Sequence, residues 1–436
     1  MITPILNRLK SARSALTVLG LKSCEALIGA AMAIYLARVM GPSDFGFFAF
    51  GLAITTLLAI PIKNGASTLI TKHVAIARES SGHNQAGPLI AKGIQLALVY
   101  ALLLLILLWC VRSSGVDNTL LSSVALVALA LPFLCLTGLW EGVLRGNFRP
   151  KAAILVGTVL VPFLVLGLAV MLRSSLALYG WQMAGVLYVG SAILINLIAL
   201  FLVRPYLQHI LPVTSQERMS AAAWLHHAAP FAIVTGLLVF NRQIDVILLG
   251  ILADEKSVGI YRIAAQAGVI VTFGVQAIGH LYSPYLAVAD NEDTAEKISK
   301  ILRSSACFSS IFGTSALCAL VILGDDLIVF LAGSEYLPGY PIMVILCTAN
   351  LAVALNGSTM QALYMQNQQN KMAIVFAAVA LFTVASNAIL IPFFGMIGAA
   401  IATGTAIILW SLGARILACR IWKLSFFTFA PLQRSG

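Results

Sequence analysis

The amino-acid sequence predicts an all-α, polytopic membrane protein with about twelve transmembrane helices in two six-helix lobes. Of its 436 residues, 60% are hydrophobic and only 10% are charged, whereas a soluble domain has about 25% charged residues. Apolar runs of about 20 residues, the length that crosses a hydrocarbon core of about 30 Å, follow one another along the chain. The runs are continuous rather than alternating, which excludes a transmembrane β-barrel.

Charges, glycines or prolines bound each apolar run, and these boundaries define the predicted spans. The first lobe, residues 1–210, contains spans at 14–37, 45–66, 89–111, 119–140, 152–172 and 181–203. The second lobe, residues 211–436, contains spans at 227–251, 258–283, 304–331, 339–364, 372–392 and 397–419. The two lobes are joined by the longest predicted cytoplasmic connection, from Arg204 to His226.

The last two spans are separated by a stretch that reads "NAILIPFFGMIGAAIATG". Pro392 is predicted to end one helix and Gly395 to turn the chain back. Small residues then follow on the last helix, which predicts a thin face for close helix packing; they are Gly398, Ala399, Ala402 and Gly404. The stretch therefore predicts a tight outer hairpin.

The lysines and arginines between the spans and near their ends are distributed unequally between the two sides of the membrane. With a cytoplasmic N-terminus, only Arg38, Arg112, Arg173 and Lys256 lie on the outer side. The cytoplasmic side carries twenty: Arg8, Lys10, Arg13, Lys63, Lys72, Arg78, Lys92, Arg145, Arg149, Lys151, Arg204, Arg218, Lys297, Lys300, Arg303, Lys371, Arg415, Arg420, Lys423 and Arg434. This bias predicts that both termini are cytoplasmic. It also accounts for the net charge of +11 without a nucleic-acid partner.

Several functional classes are disfavoured by what the sequence lacks. No segment outside the spans is long enough for a further domain, and no Walker A motif, metal-ligand constellation or nucleophile elbow occurs. The seven cysteines all lie in apolar runs and form no C-x-x-C pair, which favours simple packing. We therefore expect no enzymatic activity, no cofactor and no metal.

The two halves of the sequence share a weak repeat. The segments Leu36–Ile54 and Leu249–Gly268 each end one helix, cross a polar turn and begin the next helix with glycine, an apolar residue and an aromatic residue. Six spans per half would relate the two lobes by an axis along the membrane normal. Two generic helical hairpins would give the same similarity.

Three segments together resemble one known family. The hairpin "ARVMGPSDFGFFAFGLAITTLLAI", the pair "IDVILLG" and "SVGIYRIAAQAG", and "NAILIPFFGMIGAAIAT" are similar to the polysaccharide-transporter branch of the multidrug/oligosaccharidyl-lipid/polysaccharide exporter superfamily. Its members are flippases for bacterial O-antigen and exopolysaccharide repeat units. The resemblance extends over essentially the whole chain.

The resemblance implies twelve helices in two lobes around a central cavity. It implies a substrate in which an oligosaccharide is linked to undecaprenyl pyrophosphate, carried from the cytoplasmic to the periplasmic leaflet of the bacterial inner membrane for lipopolysaccharide O-antigen or exopolysaccharide synthesis. Membrane lipids, a polysaccharide polymerase and a chain-length regulator are the implied partners. The peptidoglycan-precursor relatives usually carry two further helices, which this sequence lacks.

Charged residues inside the spans are the candidate site. A charge at a helix centre costs about 2.5–3.5 kcal/mol on insertion scales, so such residues normally face a watery cavity or the bundle interior. Span 1 contains Lys22 and Glu25, span 7 contains Arg242 and Asp245, and span 8 contains Arg262. Residues three apart share one helix face.

We expect Lys22, Arg242 and Arg262 to bind the pyrophosphate, since charge-assisted hydrogen bonds suit phosphate oxygens. Glu25 or Asp245 could carry a coupling ion; the alternative is that each acidic residue simply pairs with the basic residue on its own helix.

Two further basic residues are weaker candidates. Lys63, near the inner end of span 2, either meets the headgroup as it enters or anchors the helix at the membrane surface. Arg38, at the first outer turn, either contacts ligand or extends its side chain to the interface. Amides in the spans, such as Asn196 and Asn356, bond sugar hydroxyls or, more simply, other helices.

Two other functions remain as alternatives. A proton- or cation-coupled multidrug antiporter of the same superfamily needs an acidic, aromatic pocket, whereas the charges in these spans are net basic. A membrane glycosyltransferase or polymerase usually needs a large outer loop, which the sequence does not contain.

Overall fold

The computed structural model describes residues 2–79, 86–113, 119–210, 220–287, 294–366, 368–426 and 428–429. The first half comprises α1 (Ile2–Met40), α2 (Pro42–Ile60), the π-helical segment π1 (Pro61–Ala66), α3 (Ser67–Glu79), α4 (Ala86–Ser113), α5 (Thr119–Ala128), α6 (Leu131–Gly146), α7 (Pro150–Ile154), the second π-helical segment π2 (Leu155–Val159), α8 (Leu160–Met171) and α9 (Arg173–Ile210). The second half comprises α10 (Ala221–Leu252), α11 (Glu255–Ala287), α12 (Thr294–Leu331), a 3₁₀ turn (Ser334–Gly339), α13 (Tyr340–Asn356), α14 (Thr359–Met365) and α15 (Gln369–Trp422).

The predicted all-α, polytopic class is confirmed. Among the described residues, 11 helical stretches are long and apolar enough to cross a membrane. Many large apolar side chains on them are exposed, including Leu103, Ile322, Phe330 and Phe393, as expected of a surface that faces lipid. Part of the predicted interlobe connection, with Arg218, lies outside the described residues, as does Arg434.

The predicted hairpin accounts for the twelfth span. α15 has 54 residues and would be about 81 Å long if straight, far more than a bilayer requires. At Gly395 the backbone leaves the helical region, with φ 55° and ψ −134°. A methyl group on Gly398 would lie 2.6 Å from the carbonyl carbon of Leu390, closer than any real contact allows. The chain therefore doubles back at Gly395 and contributes two spans.

The structure differs from the predicted spans in their interior. The predicted span 339–364 is broken at Gly357, where φ is 53° and the Ser358 N–H donates to Ser305 Oγ at 3.1 Å. The span predicted at 45–66 contains π1, which begins at Pro61; proline has no N–H to continue the α-helical ladder. Hydropathy records neither feature, because both concern backbone geometry within an apolar run.

The chain forms two compact units. The N-unit is Gly20–Gln243, and the C-unit is Ile244–Gly436 together with Met1–Leu19. The predicted lobes, 1–210 and 211–436, stay a prediction.

Within the N-unit, buried aromatic and amide groups join helices. The Trp224 side chain is fully buried and its Nε1–H donates to Leu89 O at 3.2 Å. Asn196 Nδ2 donates to Phe133 O at 3.0 Å, and Trp140 Nε1 donates to Asn196 Oδ1 at 3.4 Å. Asn196 thus bonds across helices.

The N-unit also contains a helix break that resembles the hairpin of α15. Within α9, Gly180 has φ 49° and ψ −123°. A methyl group there would lie 2.5 Å from the carboxylate carbon of Asp44, which lies in the first turn of α2, and the Asp44 carboxylate accepts the Trp181 backbone N–H. Asp44 therefore caps the restarted helix, and the position has room only for glycine.

Within the C-unit, Arg415 attaches the C-terminal segment to the helices. Its Nε donates to Phe426 O at 2.6 Å and its Nη1 to Asn356 Oδ1 at 2.9 Å, and the guanidinium lies 4.2 Å from the ring centre of Phe429. Asn356 Nδ2 in turn donates to Ser411 O at 2.7 Å. Asn356 therefore has a structural partner in the C-unit.

Candidate functional site

The first charged cluster lies in the N-unit and includes two of the predicted site residues. On α1, Lys22 Nζ lies 2.6 Å from Glu25 Oε2. The side chains are 37% and 29% exposed, so neither is sealed in the core. Thr158 Oγ1 lies 2.9 Å from the same Glu25 oxygen. The structure therefore assembles a cation, an anion and a hydroxyl from two helical stretches.

The hydroxyl of this cluster belongs to the π-helical segment π2. Thr158 is the fourth of its five residues, and its neighbour Gly157 is buried. π-Bulges occur frequently at functional sites because they change which side chains a helix presents. Sequence reasoning missed Thr158, since a threonine in an apolar run has no distinguishing signal.

A second acidic residue contacts π2 from α6. The Glu141 side chain is 8% exposed and pairs with Arg145, one helical turn later, which is 41% exposed. A methyl group on Gly157 would lie 2.7 Å from the Glu141 carboxylate carbon. Glu141 was missed because the predicted span ends at residue 140, although the i, i+4 pairing with Arg145 is visible in the sequence.

Lys63 lies on the other π-helical segment. It is the third residue of π1 and is half-buried. A methyl group on Gly138 would lie 2.6 Å from Lys63 Cα, so α6 approaches the backbone of π1 directly. Both π-helical segments of the N-unit therefore hold a candidate residue and lie against α6.

Arg38 and Arg242 are both exposed. Arg38 is in the last turn of α1, sixteen residues from Lys22, a separation of about 24 Å along the helix. The structure therefore does not bring Arg38 to the Lys22–Glu25 pair. Arg242 lies on α10 at the end of the N-unit.

The C-unit contains a buried carboxylate. Asp245 is 6% exposed, and its Oδ2 accepts a hydrogen bond from the Tyr261 hydroxyl at 2.6 Å. Thr403 Oγ1, on the second half of α15, lies 3.4 Å from the same oxygen. Arg262 is close enough for its charge to act on Asp245. Sequence reasoning found Asp245 and Arg262 but missed the two hydroxyl partners, which are 16 and 158 residues away.

Glu25 and Asp245, the two predicted acidic residues, thus have different surroundings. Glu25 is partly exposed and has a lysine beside it, whereas Asp245 is buried among hydroxyl groups. A buried carboxylate is costly unless hydrogen bonds or a cation satisfy it. The two acids are therefore suited to different tasks. Among the described residues, no group of three or more His, Cys, Asp or Glu side chains is placed to hold a metal ion.

The sequence is similar to a known protein family and to two curated relatives. Residues 11–289 match the family model described as polysaccharide biosynthesis protein. A probable low-salt glycan biosynthesis flippase of Haloferax volcanii is 24% identical over 85% of this chain and 75% of its own length. A second probable flippase of that organism is 24% identical over 98% of this chain and 86% of its own.

Solved structures share the fold. The lipid II flippase MurJ in an inward closed conformation gives a TM-score of 0.73 at 14% identity, over 92% of this chain and 87% of its own. An inward-facing multidrug-resistance transporter of the MATE family gives 0.74 at 12% identity, over 92% and 94%.

The chain is a multi-pass membrane protein with the transporter fold that MurJ and the MATE proteins share. Since the matching model covers well over half of the sequence, the chain belongs to the polysaccharide biosynthesis protein family.

Proposed function

We propose that this protein is a flippase that moves a lipid-linked oligosaccharide across the membrane. Its family and the flippase names of its relatives support transport of a glycan intermediate. The observation that carries the proposal is the partly exposed Lys22–Glu25 pair inside an apolar helix. A lysine ammonium has three donors and the pair with Glu25 engages one, so Lys22 can also bind a phosphate oxygen.

The chemical task explains why basic residues stand inside the spans. Moving a phosphate through hydrocarbon without partners is prohibitive, because an isolated charge loses its hydration. Lys22, Arg242 and Arg262 would replace part of that hydration with charge-assisted hydrogen bonds. Lys63, near the predicted cytoplasmic end of its span, would meet the headgroup first.

The finer form of the proposal concerns direction, carrier and setting. The lipid would be undecaprenyl pyrophosphate, moved from the cytoplasmic to the periplasmic leaflet of a bacterial inner membrane, with both protein termini cytoplasmic. The product would feed surface polysaccharide synthesis, including O-antigen, by a polymerase and a chain-length regulator. The step would be alternating access between inward and outward states, with no bond made or broken.

Asp245 is our candidate for ion coupling in this scheme. Its carboxylate is buried and already accepts the Tyr261 hydroxyl at 2.6 Å, so binding a proton or a cation there would change a charge that lies inside the protein. A proton or a cation on Asp245 would then accompany one of the two states. Glu25, which is partly exposed and beside Lys22, would serve as a counterion.

The buried carboxylate also favours a second candidate, a proton- or cation-coupled drug antiporter. The two functions make opposite demands on Lys22. A cationic drug would be repelled by it, so Lys22→Gln would preserve or improve drug export while it impairs movement of an anionic lipid.

The proposal is tested in proteoliposomes that contain a fluorescent pyrophosphate-linked oligosaccharide. The fraction of lipid accessible from outside to a membrane-impermeant quencher or enzyme reports the leaflet. The labelled lipid should equilibrate between leaflets faster in liposomes that contain the purified protein than in empty liposomes. In the protein-containing liposomes it should also equilibrate faster than a neutral polyprenol of the same length. Equal rates with and without protein would overturn the flippase proposal. Comparing the rates of lipid carriers with one phosphate and with two would show which headgroup the protein prefers.

A further inference from the structure

The Thr158 hydroxyl has two acceptors within hydrogen-bond distance, and the transport step proposed above gives it no role. Its Oγ1 lies 2.9 Å from Glu25 Oε2 and 3.0 Å from the Ile154 carbonyl oxygen. A threonine hydroxyl has one proton to donate. At any moment the hydroxyl therefore serves either the carboxylate on α1 or the backbone of its own helix.

Both partners of the Thr158 hydroxyl are within reach at once. Ile154 is the last residue of α7, and Leu155–Val159 form the π-helical turn. A threonine in a helix commonly donates to the carbonyl four residues earlier, as Thr158 does to Ile154. Since the Ile154 and Glu25 oxygens both already lie within hydrogen-bond distance, only the hydroxyl hydrogen has to rotate to exchange one for the other.

Glu141, on α6, packs against π2. Gly157 leaves room for the Glu141 carboxylate, which a methyl group would meet at 2.7–2.9 Å, and Arg145 neutralises that carboxylate. Close packing on one side of π2 fixes the position of the next residue. Thr158 is therefore presented to Glu25 at a defined distance.

The pairing of Lys22 with Glu25 creates a competition. A phosphate that binds Lys22 must share it with Glu25 or displace Glu25, since both are anions within reach of one ammonium. A displaced carboxylate inside a span needs another partner, because an unpaired charge there is costly. Thr158 is the donor already in contact with the same oxygen.

We propose that Thr158 is a positioning residue that holds Glu25 when the anionic headgroup takes Lys22. With the site empty, Glu25 pairs with Lys22 and the hydroxyl is shared with Ile154. With a phosphate on Lys22, the hydroxyl turns fully to Glu25 and keeps the carboxylate nearby. When the phosphate leaves, Glu25 returns to Lys22, which favours release. This inference rests on the proposed flippase function.

The test compares Thr158→Val, which has the same shape without the hydroxyl, with Thr158→Ser, which keeps it. Transport of the pyrophosphate-linked oligosaccharide is measured in proteoliposomes as a function of lipid content. Thr158→Val should raise the apparent KM about tenfold, the size of one hydrogen bond to a charged group, while kcat changes little. Thr158→Ser should restore the wild-type KM.

A second background separates positioning from a structural effect. In Glu25→Gln the neutral amide no longer competes as an anion for Lys22, so adding Thr158→Val should change KM less than twofold. An equal rise in KM in both backgrounds would overturn the inference, as would a Thr158→Val protein with wild-type kinetics. If the unaltered protein moves no lipid, the flippase proposal itself has failed, which is a different result.

Discussion

Replacing Gly398 with alanine should destabilise the hairpin that gives the protein its last two spans. The added methyl group would lie 2.6 Å from the Leu390 carbonyl carbon and closer still to its oxygen. Both atoms belong to the backbone, so no side chain can rotate away, and two helices must separate by about 1 Å to reach ordinary contact. Overpacking in a core costs about 1–3 kcal/mol, and we expect Gly398→Ala at the upper end of that range.

Gly404 on the same helix is the matched control. A methyl group there would meet the Ala349 methyl at 3.4 Å, an ordinary van der Waals distance. Alanine also favours a helix over glycine by about 1 kcal/mol, so Gly404→Ala should be neutral or slightly stabilising. Thermal unfolding in detergent, followed by loss of the monodisperse peak, compares the two. Equal stability of Gly398→Ala and the wild type would refute the hairpin geometry.

Three further substitutions test other parts of the structure. Gly180→Ala should lower the unfolding temperature, because it forces a β-carbon against the Asp44 carboxylate at a left-handed φ of 49°; a wild-type melting curve would contradict this. Glu141→Ala should cost about 1–2 kcal/mol, less than a fully buried pair because Arg145 is 41% exposed. Glu141→Gln, which keeps the shape and removes only the charge, should cost less, and an unchanged unfolding temperature for Glu141→Ala would contradict a stabilising pair. Arg415→Ala should release the C-terminal segment that it holds through Phe426 O, seen as faster proteolytic removal of a C-terminal tag, whereas the exposed Arg420 should be replaceable without effect.

Hydropathy predicted the class of protein because a span must be apolar over a fixed length. The hairpin could be predicted as well, since Pro392, Gly395 and the small residues after it are local signals in the sequence. Intramembrane charges pointed to Lys22, Glu25 and Asp245 because the cost of burying a charge makes each one conspicuous.

The partners of those charges could not be predicted from local sequence. Thr158 reaches Glu25 from 133 residues away, and Thr403 reaches Asp245 from 158 residues away. Pairings at that separation depend on the tertiary packing. Burying a threonine or tyrosine hydroxyl in an apolar run costs much less free energy than burying a charge, so these residues do not stand out in the sequence. The π-helical segments could not be predicted for another reason: they change the hydrogen-bond register of the backbone without changing the composition of the sequence.

The structure gives Asp245 a different partner from the one that its spacing in the sequence suggests. Its spacing from Arg242 suggested an ion pair along one helix face. The structure instead records the Tyr261 hydroxyl at 2.6 Å on the Asp245 carboxylate, in a buried position. This arrangement is the reason we propose Asp245, rather than Glu25, as the coupling group.

Transport by Lys22 variants tests the cationic pathway most directly. Wild type, Lys22→Arg and Lys22→Gln are reconstituted at equal protein density, and the transbilayer rate of a pyrophosphate-linked oligosaccharide is measured, with Arg242→Gln in parallel. Loss of a charge-assisted hydrogen bond should slow Lys22→Gln at least about tenfold, while Lys22→Arg retains most of the rate. A Lys22→Gln protein that moves the lipid at the wild-type rate would contradict a pathway built on basic residues.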